Sequence, residues 1–260
     1  MNIGFIGVGH MASSILKALS VNEGLRFYVY DHHLDRMETL KRKYEGRVFV
    51  SEMEGVLSSS SFVFLGVKPK DMDELLEKIG KQPLGPVYVS MVAGYSLSEI
   101  RNHLPEVPLI RIMPNTPVSV GKGVTAVCYD RVDEKTKNAF ANLYSPTGKL
   151  YEIDESQMDL YSVLTGSSPA YIDHVAASLV EFGMKHGLGE MEATRIVFEM
   201  IEGVASLGKC SGKTPEELEK EVCSPGGSTI EGIKVLRDEN VAKAMVLAAE
   251  ASLEKNKHMK

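Results

Sequence analysis

Two short glycine-rich stretches carry the residue types best suited to holding an anion. The first, Gly7-Val8-Gly9-His10-Met11-Ala12, follows the apolar run "NIGFI" and opens the helix-like segment "HMASSILKAL". In this G-x-G-x-x-A spacing, Gly7 permits a tight turn, Gly9 lets backbone approach a diphosphate, and Ala12 keeps helix and strand close. Residues Ile6 to Ala12 are therefore the expected seat of a dinucleotide, with the helix N-terminus facing the phosphate charge. The second stretch is Ser224-Pro225-Gly226-Gly227-Ser228-Thr229. One reading is a capping box, with Ser228 as N-cap and Glu231 three residues on. The other is a second anion site: stripped of side chains, the approach exposes consecutive N–H groups at a helix start, and Ser224 and Thr229 add hydroxyls. The first loop is taken by a diphosphate, so the second suits a carboxylate.

Asp31 closes the second apparent strand, where an acid accepts hydrogen bonds from ribose hydroxyls and repels a 2′-phosphate. His32, His33 and Arg36 follow and are able to neutralise such a phosphate. The pattern favours NADH as a usable donor and leaves NADPH open. Two later loops should also face the cofactor, because ligands sit beyond the C-terminal ends of parallel strands. One holds Val67, Lys68 and Pro69, where the proline also suits a helix start. The other, "VAGYS", holds Ala93 and Gly94, whose small size allows close approach to a nicotinamide. Asn115, between two prolines, orients either the carboxamide or the loop backbone, and the loop reading is the stronger.

The positioning elements follow from periodicity. Up to about residue 150, short apolar runs ("NIGFIG", "RFYVYD", "RVFV", "SFVFLGV", "VYVSMVA", "PLIRIM") alternate with helix-period segments such as Leu34, Met37, Leu40 and Tyr44. That alternation predicts βαβ units and a Rossmann-type parallel sheet covered on both faces, in a domain spanning 1–153. From 154 to 260 the strand-like runs vanish. Ile172, Val175, Ala176, Leu179, Val180 and Gly183 mark one helical face, and Ala193, Ile196, Val197, Met200, Ile201 and Val204 another. Gly187 and Gly189 separate them, and Val241, Ala244, Met245, Ala248 and Ala249 mark a third. Faces this broad predict an all-α dimerisation domain, or a core shared with the first domain, and the second glycine stretch makes it the expected substrate-binding domain as well. The tail "EKNKHMK" reads as a frayed terminus.

Composition narrows the class. Across 260 residues, 43% are hydrophobic and 25% charged, with a formal charge of −6, so nucleic-acid and anionic-membrane partners gain no electrostatic support. The apolar runs are too short to span a bilayer, and the N-terminus lacks the pattern of a signal peptide. Cys128, Cys210 and Cys223 form no disulfide framework or metal-ligand spacing, which fits a reduced, cytoplasmic setting and no metal. No histidine sits in an obvious acid–base constellation. Hydride chemistry in such a chain needs a substrate that asks little proton transfer of the protein, and a protonated imine is one.

"FIGVGHMA", "GVKP", "IRIMPNTPVSVGKGVTA", "LTGSSPAYI" and above all "VCSPGGSTIEGIKVL", in this order along the whole chain, resemble pyrroline-5-carboxylate reductase. The resemblance implies NAD(P)H-dependent reduction of 1-pyrroline-5-carboxylate to L-proline, the last step of proline biosynthesis. It implies a Rossmann domain followed by a helical domain that forms an intertwined homodimer, in many members assembled into decamers. It also implies that the N–H groups of Gly227, Ser228 and Thr229 hold the substrate carboxylate and that Gly226 shapes their loop. Thr229 would bond the ring nitrogen and help to protonate it, and Glu155 and Glu221 would lie near the substrate. His10, Met53 and Asp31 depart from the family's usual residues, all on the adenosine or diphosphate side. Two other classes compete. A β-hydroxyacid dehydrogenase needs a general base on the first long helix of the second half, where no lysine occurs before Lys185. A non-catalytic dinucleotide-binding protein has no use for "SPGGST".

Overall fold

The computed structural model of the chain describes residues 1–82 and 85–258. Its described backbone forms two compact units, one within residues 1–166 together with 253–258, and one of residues 167–252.

In the first unit, among the described residues, eight strands form one sheet in the order β3-β2-β1-β4-β5-β6-β7-β8. They are β1 (Asn2–Ile6), β2 (Arg26–Tyr30), β3 (Val48–Val50), β4 (Phe62–Leu65), β5 (Val87–Ser90), β6 (Leu109–Met113), β7 (Gly123–Asp130) and β8 (Gly148–Glu152). The first six run parallel, in the order expected of a doubly wound dinucleotide fold. Two strands lie beyond the six read from sequence. β7 returns antiparallel to β6, and β8 pairs parallel with β7. The helices are α1 (His10–Leu19), α2 (Leu34–Lys43), α3 (Met53–Ser59), α4 (Met72–Gly80), α5 (Leu97–His103), α6 (Glu134–Tyr144) and α7 (Met158–Tyr161).

Successive side chains of a strand point to opposite faces, so each apolar run feeds two cores. Ile3, Phe5, Phe27, Val29, Phe62, Phe64, Val89 and Ile110 pack with Ile15 and Leu19 of α1, Met37 and Leu40 of α2, and Phe140 and Tyr144 of α6. Phe5 stacks on Phe64 at 4.9 Å between ring centroids. Val63, Leu65, Tyr88 and Leu109 face the other way, onto Val56 of α3, Leu75, Leu76 and Ile79 of α4, and Ile100 of α5. Full burial of each such side chain contributes about 1.5–3 kcal/mol. Leu34, assigned to the buried face of α2, is exposed, because it opens the helix at its outer end.

The second unit is helical: α8 (Ser168–Lys185), α9 (Glu190–Ser211), α10 (Pro215–Val222), α11 (Ser228–Asp238) and most of α12 (Val241–Lys257). A Schellman-type end closes α8: Gly187 has φ +98°, its N–H reaches Met184 O at 3.1 Å, and Leu188 N–H reaches Gly183 O at 3.1 Å. α8 and α9 meet through small residues, since a Cβ on Gly183 would lie 3.2 Å from Ala193 Cβ. Yet only Ala176, Ala193 and Val197 of these apolar stripes are buried, while Ile172, Val175, Leu179, Ile196, Met200 and Val204 are exposed.

Backbone packing keeps the chain through Gly166 with the sheet, where Met158 and Val163 are buried. The tail expected to fray continues α12 through Lys257, and Asn256 Nδ2 donates to Asp159 O at 3.4 Å; its last two residues lie outside the described ones.

Candidate active site

The strand order reverses between β1 and β4, which opens a crevice at their C-terminal ends. Gly7 crosses its floor at φ +87°, and a Cβ there would sit 2.7 Å from the carbonyl carbon of Gly66. Only glycine fits that approach. Gly9 is the uncapped N-cap of α1, with φ −65° and ψ −172°, and a Cβ on it would meet no heavy atom within 4 Å. The cradle is thus open at Gly9, where the N–H groups that begin a helix have no intrahelical partners. That geometry fits a dinucleotide diphosphate. Ile6, Val8 and Ala12 are buried, so their share of such a site is backbone only. His10 is exposed and Met11 half-buried.

Asp31 stands beside this loop. Its Oδ2 accepts from Val8 N–H at 2.8 Å and its Oδ1 from His33 N–H at 2.8 Å, with Arg36 at 3.9 Å. Each carboxylate oxygen keeps a second lone pair. The acid therefore both ties the glycine loop to β2 and remains an acceptor. The His32 and Tyr30 rings meet in a T-shaped arrangement, 5.8 Å between centroids.

After β4, Lys68 is exposed and Pro69 opens a short 3₁₀ turn, as its missing N–H allows. Val67 packs against the core beside it. After β5, Ala93 and Gly94 form a half-buried bend with Gly94 at φ +70°. Hollows of about 280 and 220 Å³ flank this bend, both lined by Gly94. Asn115 does not offer its amide to a ligand: Oδ1 accepts from Val124 N–H at 2.9 Å, and Nδ2 donates to Thr165 O at 2.9 Å. It is buried and closes the loop between β6 and β7, the stronger of the two readings of this residue.

Glu155 is also spoken for. Its Oε1 accepts from Leu97 N–H at 2.7 Å and from Arg111 Nη1 at 2.7 Å, compensating a guanidinium that is only 5% exposed. Through Oε1, Glu155 holds α5 and β6 together. Arg111 was missed, although an arginine inside "PLIRIM" is the signal of a buried charge in need of an acid. Cys128 lies opposite it in register, and burial, then Glu155, push its thiol up to about 11.

In the second unit, Ser224 to Gly227 form a turn in which Gly227 N–H donates to Ser224 O at 3.0 Å and Gly226 has φ +74°. Proline followed by a left-handed glycine is the type II pattern. Two expectations change. Gly227, not Ser228, is the N-cap of α11, no side chain caps it, and Glu231 pairs with Lys234 at 2.6 Å instead of closing a box. Gly227 N–H is used inside the turn, so the free donors begin at Ser228 and Thr229. Ser224, Gly226, Ser228 and Thr229 are exposed. Glu221 forms a surface ion pair with Lys213.

The family profile for pyrroline-5-carboxylate reductase dimerisation matches residues 155–259, and one described as NADP oxidoreductase, coenzyme F420-dependent, matches residues 2–94. The pyrroline-5-carboxylate reductase of Synechocystis is 31% identical over 100% of this chain and 98% of its own length. That of Thermus thermophilus is 32% identical over 97% of this chain and 96% of its own. The chain belongs to the pyrroline-5-carboxylate reductase family. The solved reductase of Streptococcus pyogenes superposes with a TM-score of 0.90 at 28% identity, covering 99% of this chain and 98% of that one. A Plasmodium falciparum pyrroline carboxylate reductase, solved with NADP bound, superposes with a TM-score of 0.89; at 24% identity it speaks for the fold. The reductase dimerisation profile spans the helices whose apolar faces lie open, from α8 to α12.

Proposed function

We propose that this chain reduces 1-pyrroline-5-carboxylate to L-proline with NADH or NADPH, the last step of proline biosynthesis. One observation carries the reading: a glycine cradle open at Gly9 and an uncapped helix start after "SPGG" occur together in a chain that full-length reductases match from end to end. When bound, the reduced nicotinamide supplies the hydride. The chain's residues bind and orient. Gly9 to Ala12 receive the diphosphate at the start of α1, and Asp31 faces the adenosine ribose. Lys68 and the Ala93–Gly94 bend border the nicotinamide side. In the second unit, Ser228 and Thr229 N–H groups take the imine's carboxylate, and the Thr229 hydroxyl bonds the ring nitrogen and helps to keep it protonated. A β-hydroxyacid dehydrogenase is disfavoured because α8 has a lysine only in its last turn, Lys185.

NADH is the better donor in this reading, because the Asp31 carboxylate repels a 2′-phosphate. The helical unit pairs with a second copy through Ile172, Leu179, Ile196 and Val204, giving a cytoplasmic homodimer able to assemble further, up to a decamer. The test is purified protein with pyrroline-5-carboxylate and each reduced coenzyme in turn. Coenzyme consumption matched by proline formation is the expected result, and none with either coenzyme overturns the proposal. Dilution below the dimer's dissociation constant should lower mass by light scattering and specific activity together; full activity in a monomer would remove the dimer from the site.

A further inference from the structure

The bend after β5 is anchored by a contact that the family reading does not use. Tyr95 follows Gly94 directly, and its ring is buried in the core among the α4 and α5 side chains. Its hydroxyl donates to Asp73 Oδ1, and His103 Nε2 approaches the same oxygen at 3.4 Å. Asp73 lies in the first turn of α4, where the helix N-terminus favours a charged carboxylate. Burial, then the Asp73 hydrogen bond, push the Tyr95 phenol up, so it stays a donor throughout the working pH range. On the next residue, Ser96 is locked by a capping box with Glu99, and Leu97 N–H is held by Glu155. Four residues, Met91 to Gly94, lie between these anchors and the end of β5.

α4 continues from the short turn Pro69–Asp71, which directly follows Lys68. A hydrogen bond from Tyr95 to Asp73 therefore joins the loop after β5 to the loop after β4. We propose that the Tyr95–Asp73 contact is a clamp that fixes the spacing of these two loops, making Tyr95 and Asp73 positioning residues for the nicotinamide end of the cofactor. The inference rests on the cofactor placement proposed above. A buried phenol needs one acceptor, and a phenylalanine ring fills the same space, so the clamp is separable from the core. Asp73 is largely exposed, which places the bond's worth at the low end of the range for charged acceptors.

The test uses the full chain and four variants: Tyr95→Phe, Asp73→Ala, Asp73→Asn and the double Tyr95→Phe/Asp73→Ala. Calorimetry gives the Kd for NADH and NADPH without turnover, steady-state kinetics separate the two KM values, and melting reports stability. Tyr95→Phe and Asp73→Ala should each weaken coenzyme binding by about three- to tenfold, raising its KM while the KM for the imine holds. The double variant should be no weaker than the worse single one, and Asp73→Asn, which keeps a carbonyl acceptor, should recover most of the loss seen in Asp73→Ala. Unchanged coenzyme affinity in Tyr95→Phe, or additive losses in the double variant, overturns the clamp. A lowered melting temperature with unchanged affinity also overturns it, because the contact is then merely structural. Failure of the unsubstituted protein to bind either coenzyme would instead overturn the functional reading on which the clamp rests.

Discussion

Gly7 and Gly9 belong to one motif, yet alanine at the two positions should have opposite consequences. At Gly9 the backbone is extended, with φ −65° and ψ −172°, and a methyl group would meet nothing within 4 Å. Removing a glycine from the unfolded chain stabilises by about 0.4–1 kcal/mol. Alanine is a poorer N-cap than glycine by a similar amount, so stability should change by less than about 1 kcal/mol. The methyl would nevertheless stand where a phosphate oxygen must meet the helix start. Losing one or two charge-assisted hydrogen bonds of about 1.5–3 kcal/mol each weakens dinucleotide binding roughly tenfold to more than a hundredfold. At Gly7, φ is +87° and a Cβ would be 2.7 Å from Gly66 C and 2.8 Å from Gly66 O. A left-handed alanine costs about 1–2 kcal/mol. The clash adds about 1–3 kcal/mol, because β1 and β4 are paired and neither backbone can withdraw freely.

The assay is a thermal melt of both variants beside a calorimetric titration with NADH. Gly7→Ala should lower Tm by about 4–20 °C, at roughly 2–4 °C per kcal/mol for a chain of this size. Gly9→Ala should melt within about 4 °C of the parent and bind NADH at least tenfold more weakly. Parent-like NADH affinity in Gly9→Ala would refute the diphosphate cradle. A loss of Tm at Gly9 equal to that at Gly7 would refute the division of labour between them.

Three further substitutions test other parts of the site. Asp31→Ser should move the kcat/KM ratio of NADPH over NADH up by about tenfold, the scale of one charge repulsion near the surface; an unchanged ratio removes Asp31 from coenzyme choice. Thr229→Ala should lower kcat for the imine by about ten- to a hundredfold while NADH affinity holds, since a helix start keeps its N–H groups without the hydroxyl; equal turnover would leave Thr229 outside the chemistry. Glu155→Ala should cost about 2–3 kcal/mol, below the figure for a fully enclosed pair because Glu155 is partly exposed, and show as a lower Tm in melting. A raised imine KM with an unchanged Tm would return Glu155 to the substrate.

What the sequence made legible followed from local physics. The six parallel strands were readable because aromatic and β-branched runs such as "SFVFLGV" must be covered on both faces. The glycine loops were readable because a position at positive φ, or pressed against another backbone, admits no side chain. β7 carries a comparable run, "VTAVCY", but its antiparallel return depends on pairing with β6, which no periodicity encodes. The particular partners of Asn115 and Glu155 were not readable for the same reason at the level of single side chains. Their partners Thr165 and Arg111 are 50 and 44 residues away in the chain, so nothing nearby distinguished a structural tie from a ligand contact. The shift of the α11 cap from Ser228 to Gly227 is smaller in distance and larger in meaning. A capping box would have satisfied the helix start from within the chain; with glycine as the cap and its N–H turned back to Ser224, the donors of Ser228 and Thr229 have no internal substitute for an anion. The donors that suit a substrate carboxylate at this loop thus begin at Ser228 and owe nothing to a side-chain cap.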